Sequence, residues 1–176
     1  MRILAPALLS ALLLAGCVRA PEPEPAPQTP IPRPAPRPTP VAPPPSSDWR
    51  DWPITPGTWS FRSDARGSIA LFGTPGADAL LTLRCDRGAN AMYLSRAGEG
   101  RGTGFTIRTS TTTRALPVQP TGGTPPYMAA VLSPDDRLLD AIGFSRGRFV
   151  VEAPPLGSLV VPAWSEILRV IEDCRS

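Results

Sequence analysis

A proline-rich run from Pro21 to Ser47 limits what this 176-residue chain can fold into. Proline occupies 13 of its 27 positions. Because proline lacks a backbone N–H and fixes φ, neither a helix nor a sheet can form there. The run should be an extended, polyproline II-like tether with a reach of roughly 80 Å, at about 3.1 Å per residue. A docking site for a proline-reading partner is the alternative to a plain spacer.

The tether divides the chain into three parts. Residues 1–16 combine a positive start, an apolar run and small residues, which is the pattern of a secretory signal peptide. The apolar run is shorter than the ~20 residues that a membrane-spanning helix needs. Residues 17–47 form the N-terminus of the mature chain and the tether. Residues 48–176 remain as one globular domain, long enough to bury a single core.

The signal peptide ends in Leu14-Ala15-Gly16-Cys17. An aliphatic residue, two small residues and a cysteine resemble the lipobox of bacterial lipoproteins. The resemblance implies that Cys17 carries acyl chains such as palmitate after cleavage, and two or more chains give stable membrane anchoring. Val18 in place of an aspartate favours, by the same resemblance, the outer membrane, with the domain facing the periplasm. The alternative is an ordinary signal peptide with a cysteine after it by chance.

The composition excludes several classes of protein. The chain has no His, and all 18 of its basic residues are Arg. A Ser-His-Asp triad, a Cys-His pair and a His-containing zinc site are therefore impossible. Residues 48–176 hold 14 Arg against 13 Asp and Glu, scattered along the chain, whereas a nucleic-acid-binding protein needs clustered positive charge. We predict no nucleic-acid partner, no metal and no cofactor.

Short runs rich in β-branched, aromatic and aliphatic residues alternate with turn residues in the domain. They predict a mainly β fold: an antiparallel sandwich or barrel of about eight short strands. A short helix over Pro134 to Phe144, with Ser133 as its cap, and a C-terminal helix over Ala163 to Cys174 complete it. The apolar stripe of the second helix consists of residues at i, i+3, i+4 and i+7, namely Trp164, Ile167, Leu168 and Ile171.

Two cysteines remain when Cys17 is set aside. Cys85 ends a predicted strand and Cys174 ends the last helix. The signal peptide implies an oxidising compartment, so a disulfide between them is the first expectation. Two separate buried thiols and a reactive pair are the alternatives, although the sequence has no Cys-x-x-Cys motif.

Other candidate sites have simpler structural explanations. Gly98 to Gly104 lacks the Gly-Lys-Ser/Thr ending of a phosphate loop and predicts a hairpin loop. Acidic residues near the start of the first helix suit its dipole better than a Ca²⁺ site. Three aromatic residues form either a stacking surface for carbohydrate or peptide or the edge of the core. The acidic residues are Asp135, Asp136 and Asp140, and the aromatic ones are Trp49, Trp52 and Trp59.

The last 40 or so residues carry a further resemblance. A short helix, a glycine turn at Gly147, two apolar strands and a final helix ending at Cys174 follow one another. This order resembles small secreted bacterial β-sandwich domains of the invasion-associated locus B type and accessory lipoproteins of type VI secretion. Residues 162–175 are also similar to the ending of uncharacterised alphaproteobacterial lipoproteins. None of these resemblances implies a catalytic residue.

Together these features predict an envelope-anchored lipoprotein with a non-enzymatic binding or structural role. Its partners would be the membrane, through the acyl chains on Cys17, and an envelope protein or peptidoglycan. The alternative is a hydrolase that acts on cell-envelope material through paired carboxylates from Glu166, Glu172 or Asp173. Such an enzyme needs two acids that converge in a cleft with raised pKa values.

Overall fold

The computed structural model describes residues 47–99 and 104–176. The predicted signal peptide, the lipidation site Cys17 and the tether up to residue 46 lie outside the described residues. The described part folds into ten strands and two helices after a short 3-10 helix, Trp49–Asp51. The strands are β1 (Thr58–Asp64), β2 (Gly67–Gly73), β3 (Leu81–Asp86), β4 (Ala91–Ala97), β5 (Phe105–Arg108), β6 (Thr113–Leu116), β7 (Gln119–Pro120), β8 (Tyr127–Leu132), β9 (Arg148–Ala153) and β10 (Leu156–Pro162). The helices are α1 (Arg137–Gly143) and α2 (Ser165–Arg175).

The strands form two antiparallel sheets. The large sheet has the order β1-β2-β3-β4-β8-β7, and the small sheet has the order β10-β9-β5-β6. The prediction of a mainly β, antiparallel fold is confirmed, as a sandwich and not as a closed barrel. Ten strands form where about eight were expected. The two-residue β7 lies in a segment without a strand pattern.

Hairpins of adjacent strands account for most of the pairing. The turn 87–90 joins β3 to β4, and Asn90 adopts a positive φ of 49° there. A turn at Pro154 and Pro155 joins β9 to β10. The hairpin predicted around Gly98 to Gly104 is wrong, because β4 and β5 belong to different sheets. Residues 100–103 of that segment lie outside the described residues.

The core lies between the two sheets and under α2. Every second side chain of β3 points into the core, namely Leu81, Leu83 and Cys85. The two ends of β10 contact different strands of the large sheet. The Trp59 indole of β1 donates to the Pro162 carbonyl over 2.8 Å, and the Arg96 guanidinium of β4 donates to the Gly157 carbonyl. Strand β10 therefore runs across β1 to β4, and not along them.

The first helix is shorter than predicted. It begins at Arg137, because Asp136 and not Ser133 caps it: the Asp136 carboxylate accepts from the Leu138 backbone N–H over 2.8 Å. Residues Pro134 and Asp135 form a turn instead. An aspartate at this position satisfies a free N–H of the first helical turn, so the helix starts after it.

The C-terminal helix packs against the large sheet through Ile167, Val170 and Ile171. The prediction that Trp164 belongs to its apolar stripe is wrong. Trp164 has the extended backbone of an N-cap residue, so its side chain leaves the helical register and is 45% exposed.

The disulfide between Cys85 and Cys174 is formed, with Cα atoms 5.4 Å apart, and it holds the end of α2 to β3.

Candidate binding groove on the outer face of the large sheet

The three tryptophans do not form one surface. Trp59 is 6% exposed, packs against Phe72 and has its indole N–H satisfied by Pro162. The stacking interpretation is therefore wrong for Trp59, which is part of the core. Trp49 and Trp52 are half-buried in the segment before β1, and the Trp52 carbonyl accepts a hydrogen bond from Arg148.

Two of the acidic residues at the first helix have arginine partners. Asp136 accepts two hydrogen bonds from Arg114, and Asp140 accepts from Arg175. Among the described residues, no group of three or more Cys, Asp or Glu side chains could hold a metal ion. Glu166 and Glu172 lie on the outer side of α2, beside Arg169, which stacks on the Phe61 ring at 3.8 Å.

Three aspartate carboxyl groups have a shifted pKa, and in each of them the pKa is lowered. Asp64, Asp86 and Asp136 each accept hydrogen bonds from an arginine, which lowers the pKa of each carboxyl. The pKa of Asp64 falls to about 2 beside Arg84. A general acid needs a raised pKa, so these shifts give no support to the hydrolase alternative.

The outer face of the large sheet carries a different feature. The strand register places one residue of each strand directly opposite the next, in a row that crosses all six strands. With neighbouring strands about 4.8 Å apart, this row is about 24 Å long. Its members, in order across the sheet, are Ser60, Leu71, Thr82, Ser95, Ala129 and Gln119.

Two cavities lie over this row. One of about 400 Å³ contains Thr82, Ser95 and Ala129, and the other of about 480 Å³ contains Ser60 and Leu71. The two cavities adjoin where Leu71 opposes Thr82 in the register. We call the two adjacent cavities together the outer-face groove.

The centre of the floor of the outer-face groove carries two hydroxyl groups. Thr82 and Ser95 are each only 9% exposed, although both point to the side of the sheet away from the core. Neither hydroxyl has a hydrogen-bond partner among the described residues. Both hydroxyl oxygens still reach solvent at the base of the groove, so they are available to a ligand or to water.

One wall of the groove is the neighbouring row of the same face. Arg62, Ile69, Arg84, Tyr93 and Val131 stand in register along it. Ion pairs hold Arg84 of this wall and the neighbouring Arg66 in place. Arg84 donates two hydrogen bonds to Asp64, at 2.8 and 3.0 Å, and Arg66 donates two to Asp86, at 2.5 and 2.9 Å.

The opposite wall is built from the loop 74–79 and from Tyr127 of β8. The Tyr127 hydroxyl donates to the Ala79 carbonyl over 2.5 Å, which holds the loop against β8. Burial raises the pKa of this Tyr127 hydroxyl. Gln119 and Thr121 close the end of the groove on the β7 side.

Sequence reasoning did not find this groove. The polar residues of β3 and β4 alternate with core residues, as Thr82 and Arg84 do on β3 and Tyr93 and Ser95 do on β4. This alternation could have indicated a polar outer face. It could not have indicated that β8 and β7 extend the same row, because Ala129 lies 34 positions after Ser95.

No protein-family model, no curated protein and no solved structure matches this chain. Within residues 47–99 and 104–176, none of the helices has the length and apolar character to cross a membrane.

Proposed function

We propose that this chain is an envelope-anchored lipoprotein whose domain binds a partner in the periplasm without catalysing a reaction. Anchoring rests on the lipobox resemblance at Cys17, and display away from the membrane rests on the proline-rich tether. The observation that carries the binding role is the outer-face groove, with its unpartnered hydroxyls Thr82 and Ser95. Ligand sites commonly combine a concave surface with a few convergent polar groups.

The disulfide is consistent with this location. A bond between Cys85 and Cys174 persists in an oxidising compartment such as the periplasm. A purely structural domain would require no groove of unpartnered polar groups, and this favours the binding role over the structural one.

The anchor is tested with the full chain expressed in a bacterium that processes lipoproteins. Wild type should fractionate with the outer membrane and incorporate labelled palmitate. Cys17→Ser should lose the label and leave the membrane fraction. Unchanged membrane association of Cys17→Ser would overturn the anchoring proposal.

The binding role is tested with isolated cell envelopes and with peptidoglycan sacculi. The full chain, held in a detergent without sugar groups, should co-sediment with one of them. The double variant Thr82→Val with Ser95→Ala should lose most of this binding. The matched control is Thr106→Val on β5 of the small sheet, which should bind as wild type does. Equal binding by the groove variant and wild type would refute the groove as the binding site.

A further inference from the structure

The floor of the outer-face groove and its end beside β7 carry uncharged polar groups. Thr82 and Ser95 lie at the floor, Ser60 continues the row, and Gln119 and Thr121 stand at one end. None of these five side chains forms a hydrogen bond to a described residue. Hydroxyls and a carboxamide both donate and accept, so they match a ligand that is rich in hydroxyl or amide groups.

The charges around the groove are already compensated. Arg84 and Arg66 direct their guanidinium groups to Asp64 and Asp86, which lie beyond the groove. Each arginine already donates from two of its nitrogens to a carboxylate, which weakens its attraction for an anionic ligand. In the other half of the groove, Arg62 and Asp78 balance each other in formal charge. The charge pattern therefore favours an uncharged ligand over a phosphate or a carboxylate.

Apolar surface alternates with the hydroxyls. The half-buried Leu71 lies between Ser60 and Thr82 in the row, while Tyr93 and the 61% exposed Val131 stand on the wall beside Ser95. Such a surface suits a ligand with both apolar C–H faces and polar edges, which describes a sugar ring. The length of the row, about 24 Å at ~4.8 Å per strand, accommodates several rings in line.

An extended peptide fits this face less well. Peptides that bind sheets commonly add a strand at an edge, where backbone N–H and C=O groups are free. The groove lies across the face of the sheet, and the backbone groups of its central strands β3 and β4 are paired on both sides. The groove consequently offers side-chain groups and no free strand edge along its floor.

From this geometry we infer that the outer-face groove binds a linear, uncharged oligosaccharide. Thr82 and Ser95 contact the hydroxyl or amide groups of the central sugar, and Tyr93 supplies an apolar contact beside it. This inference rests on the proposed binding function and adds the chemical class of the ligand.

The test uses the full chain in a detergent without sugar groups. Three neutral probes are titrated: cellotetraose, maltotetraose and the tetramer of N-acetylglucosamine. Binding is followed by calorimetry and by shifts of backbone amide signals. We expect at least one probe to bind with a Kd between about 10 µM and 1 mM, with shifted signals at Thr82, Ser95 and Ala129. Because no charges are involved, raising the salt concentration should leave the affinity unchanged.

Variants of the groove and an anionic probe test which residues and which ligand charge the binding requires. Thr82→Val with Ser95→Ala should weaken binding at least tenfold, whereas Thr106→Val should not change it. Tetragalacturonate, which carries carboxylates, should bind more weakly than the best neutral probe. The inference is overturned if none of the neutral probes binds at about 10 mM. Tighter binding of tetragalacturonate, or of a peptide, would also overturn it.

The outcomes separate this inference from the proposed function. If sacculi or envelopes retain wild type and release the groove variant, while none of the neutral probes competes, the oligosaccharide class is wrong and the groove still binds a partner. If the groove variant co-sediments as wild type does and the probes do not bind, both proposals fail.

Discussion

The indole N–H of Trp59 donates a hydrogen bond to the carbonyl oxygen of Pro162, which lies 103 positions later in the chain. The bond joins β1 of the large sheet to the end of β10 in the small sheet. Trp59→Phe keeps an aromatic ring beside Phe72 but leaves the buried Pro162 carbonyl without this donor. We expect the free energy of unfolding to fall by about 1–3 kcal/mol, measured by urea denaturation.

Trp164→Phe is the matched control for this change. Trp164 is 45% exposed, so its substitution should alter the free energy of unfolding by less than about 0.5 kcal/mol. Equal effects of the two substitutions would contradict the assignment of Trp59 as the link between the sheets.

Removal of the disulfide should be the larger perturbation. Cys85 and Cys174 are separated by 89 positions, and closing a loop of that length contributes about 4–5 kcal/mol in the chain-entropy model. The double variant Cys85→Ala with Cys174→Ala should therefore unfold at a much lower urea concentration. Reduced wild type should behave as the double variant does. A reductant that leaves the wild-type midpoint unchanged would show that the bond does not form in solution.

Gly67 tests the close approach between β2 and β3. Its φ is +142°, and a Cβ atom there would lie 2.7 Å from the Cys85 carbonyl oxygen. Gly67→Ala should therefore cost about 2–3 kcal/mol, through backbone strain and the displacement of β3. Gly157→Ala is the control, because a Cβ atom at Gly157 meets nothing within 4 Å. Thermal unfolding of both variants measures the difference, and similar melting temperatures would refute the prediction.

The ion pair beside the groove predicts a pH dependence. Arg84 lowers the pKa of Asp64 from its ordinary 3.8 to about 2 in the folded protein. As pH falls, the unfolded chain takes up the Asp64 proton at a higher pH than the folded protein does. The stabilisation of the folded state by this ion pair is therefore fully present above about pH 4 and is lost as pH falls toward 2. Asp64→Asn should therefore be less stable than wild type at pH 7, and the gap between the two should close near pH 2.

Urea midpoints at pH 7, pH 4 and pH 2 measure this gap. Glu172→Gln, which removes an exposed carboxylate without an ion pair to a described residue, is the control and should show little difference from wild type. A constant gap between Asp64→Asn and wild type over the whole range would argue against the assigned pair.

Local patterns in the sequence were enough to predict most of the strands and the C-terminal helix, and the oxidising compartment that the signal peptide implies predicted the disulfide. The alternation of Leu81, Leu83 and Cys85 gives a strand with one buried face, and the spacing of Ile167 and Ile171 gives an amphipathic helix. Trp164 escaped this reasoning because a periodic pattern does not reveal where a helix begins.

The groove depends on information that no local pattern contains. Its floor forms because Ser95 stands opposite Ala129. That register exists only because β8, a strand distant in the sequence, pairs with β4. The crossing of β10 over the large sheet is likewise fixed by tertiary packing. Sequence reasoning therefore left Trp59 between a stacking surface and the edge of the core, and the packing of β10 decides for the core.

Arg96 provides a last test, at the opposite end of β10 from Trp59. Its side chain is 7% exposed and points to the core side of the large sheet. One nitrogen donates to the Gly157 carbonyl, while Nε and Nη1 have no partner among the described residues. Burial lowers the pKa of this guanidinium, since no carboxylate of the described residues pairs with it.

A buried charge with unmet donors is unfavourable, and a long apolar side chain of similar size removes that cost. Arg96→Met should therefore raise the free energy of unfolding by about 1 kcal/mol, even though the bond to Gly157 is lost. Arg114→Met is the comparison, because Arg114 donates two hydrogen bonds to Asp136 and its loss should lower stability. If Arg96→Met destabilises the domain as much as Arg114→Met does, the link from Arg96 to β10 contributes more than its burial costs, and the prediction is wrong.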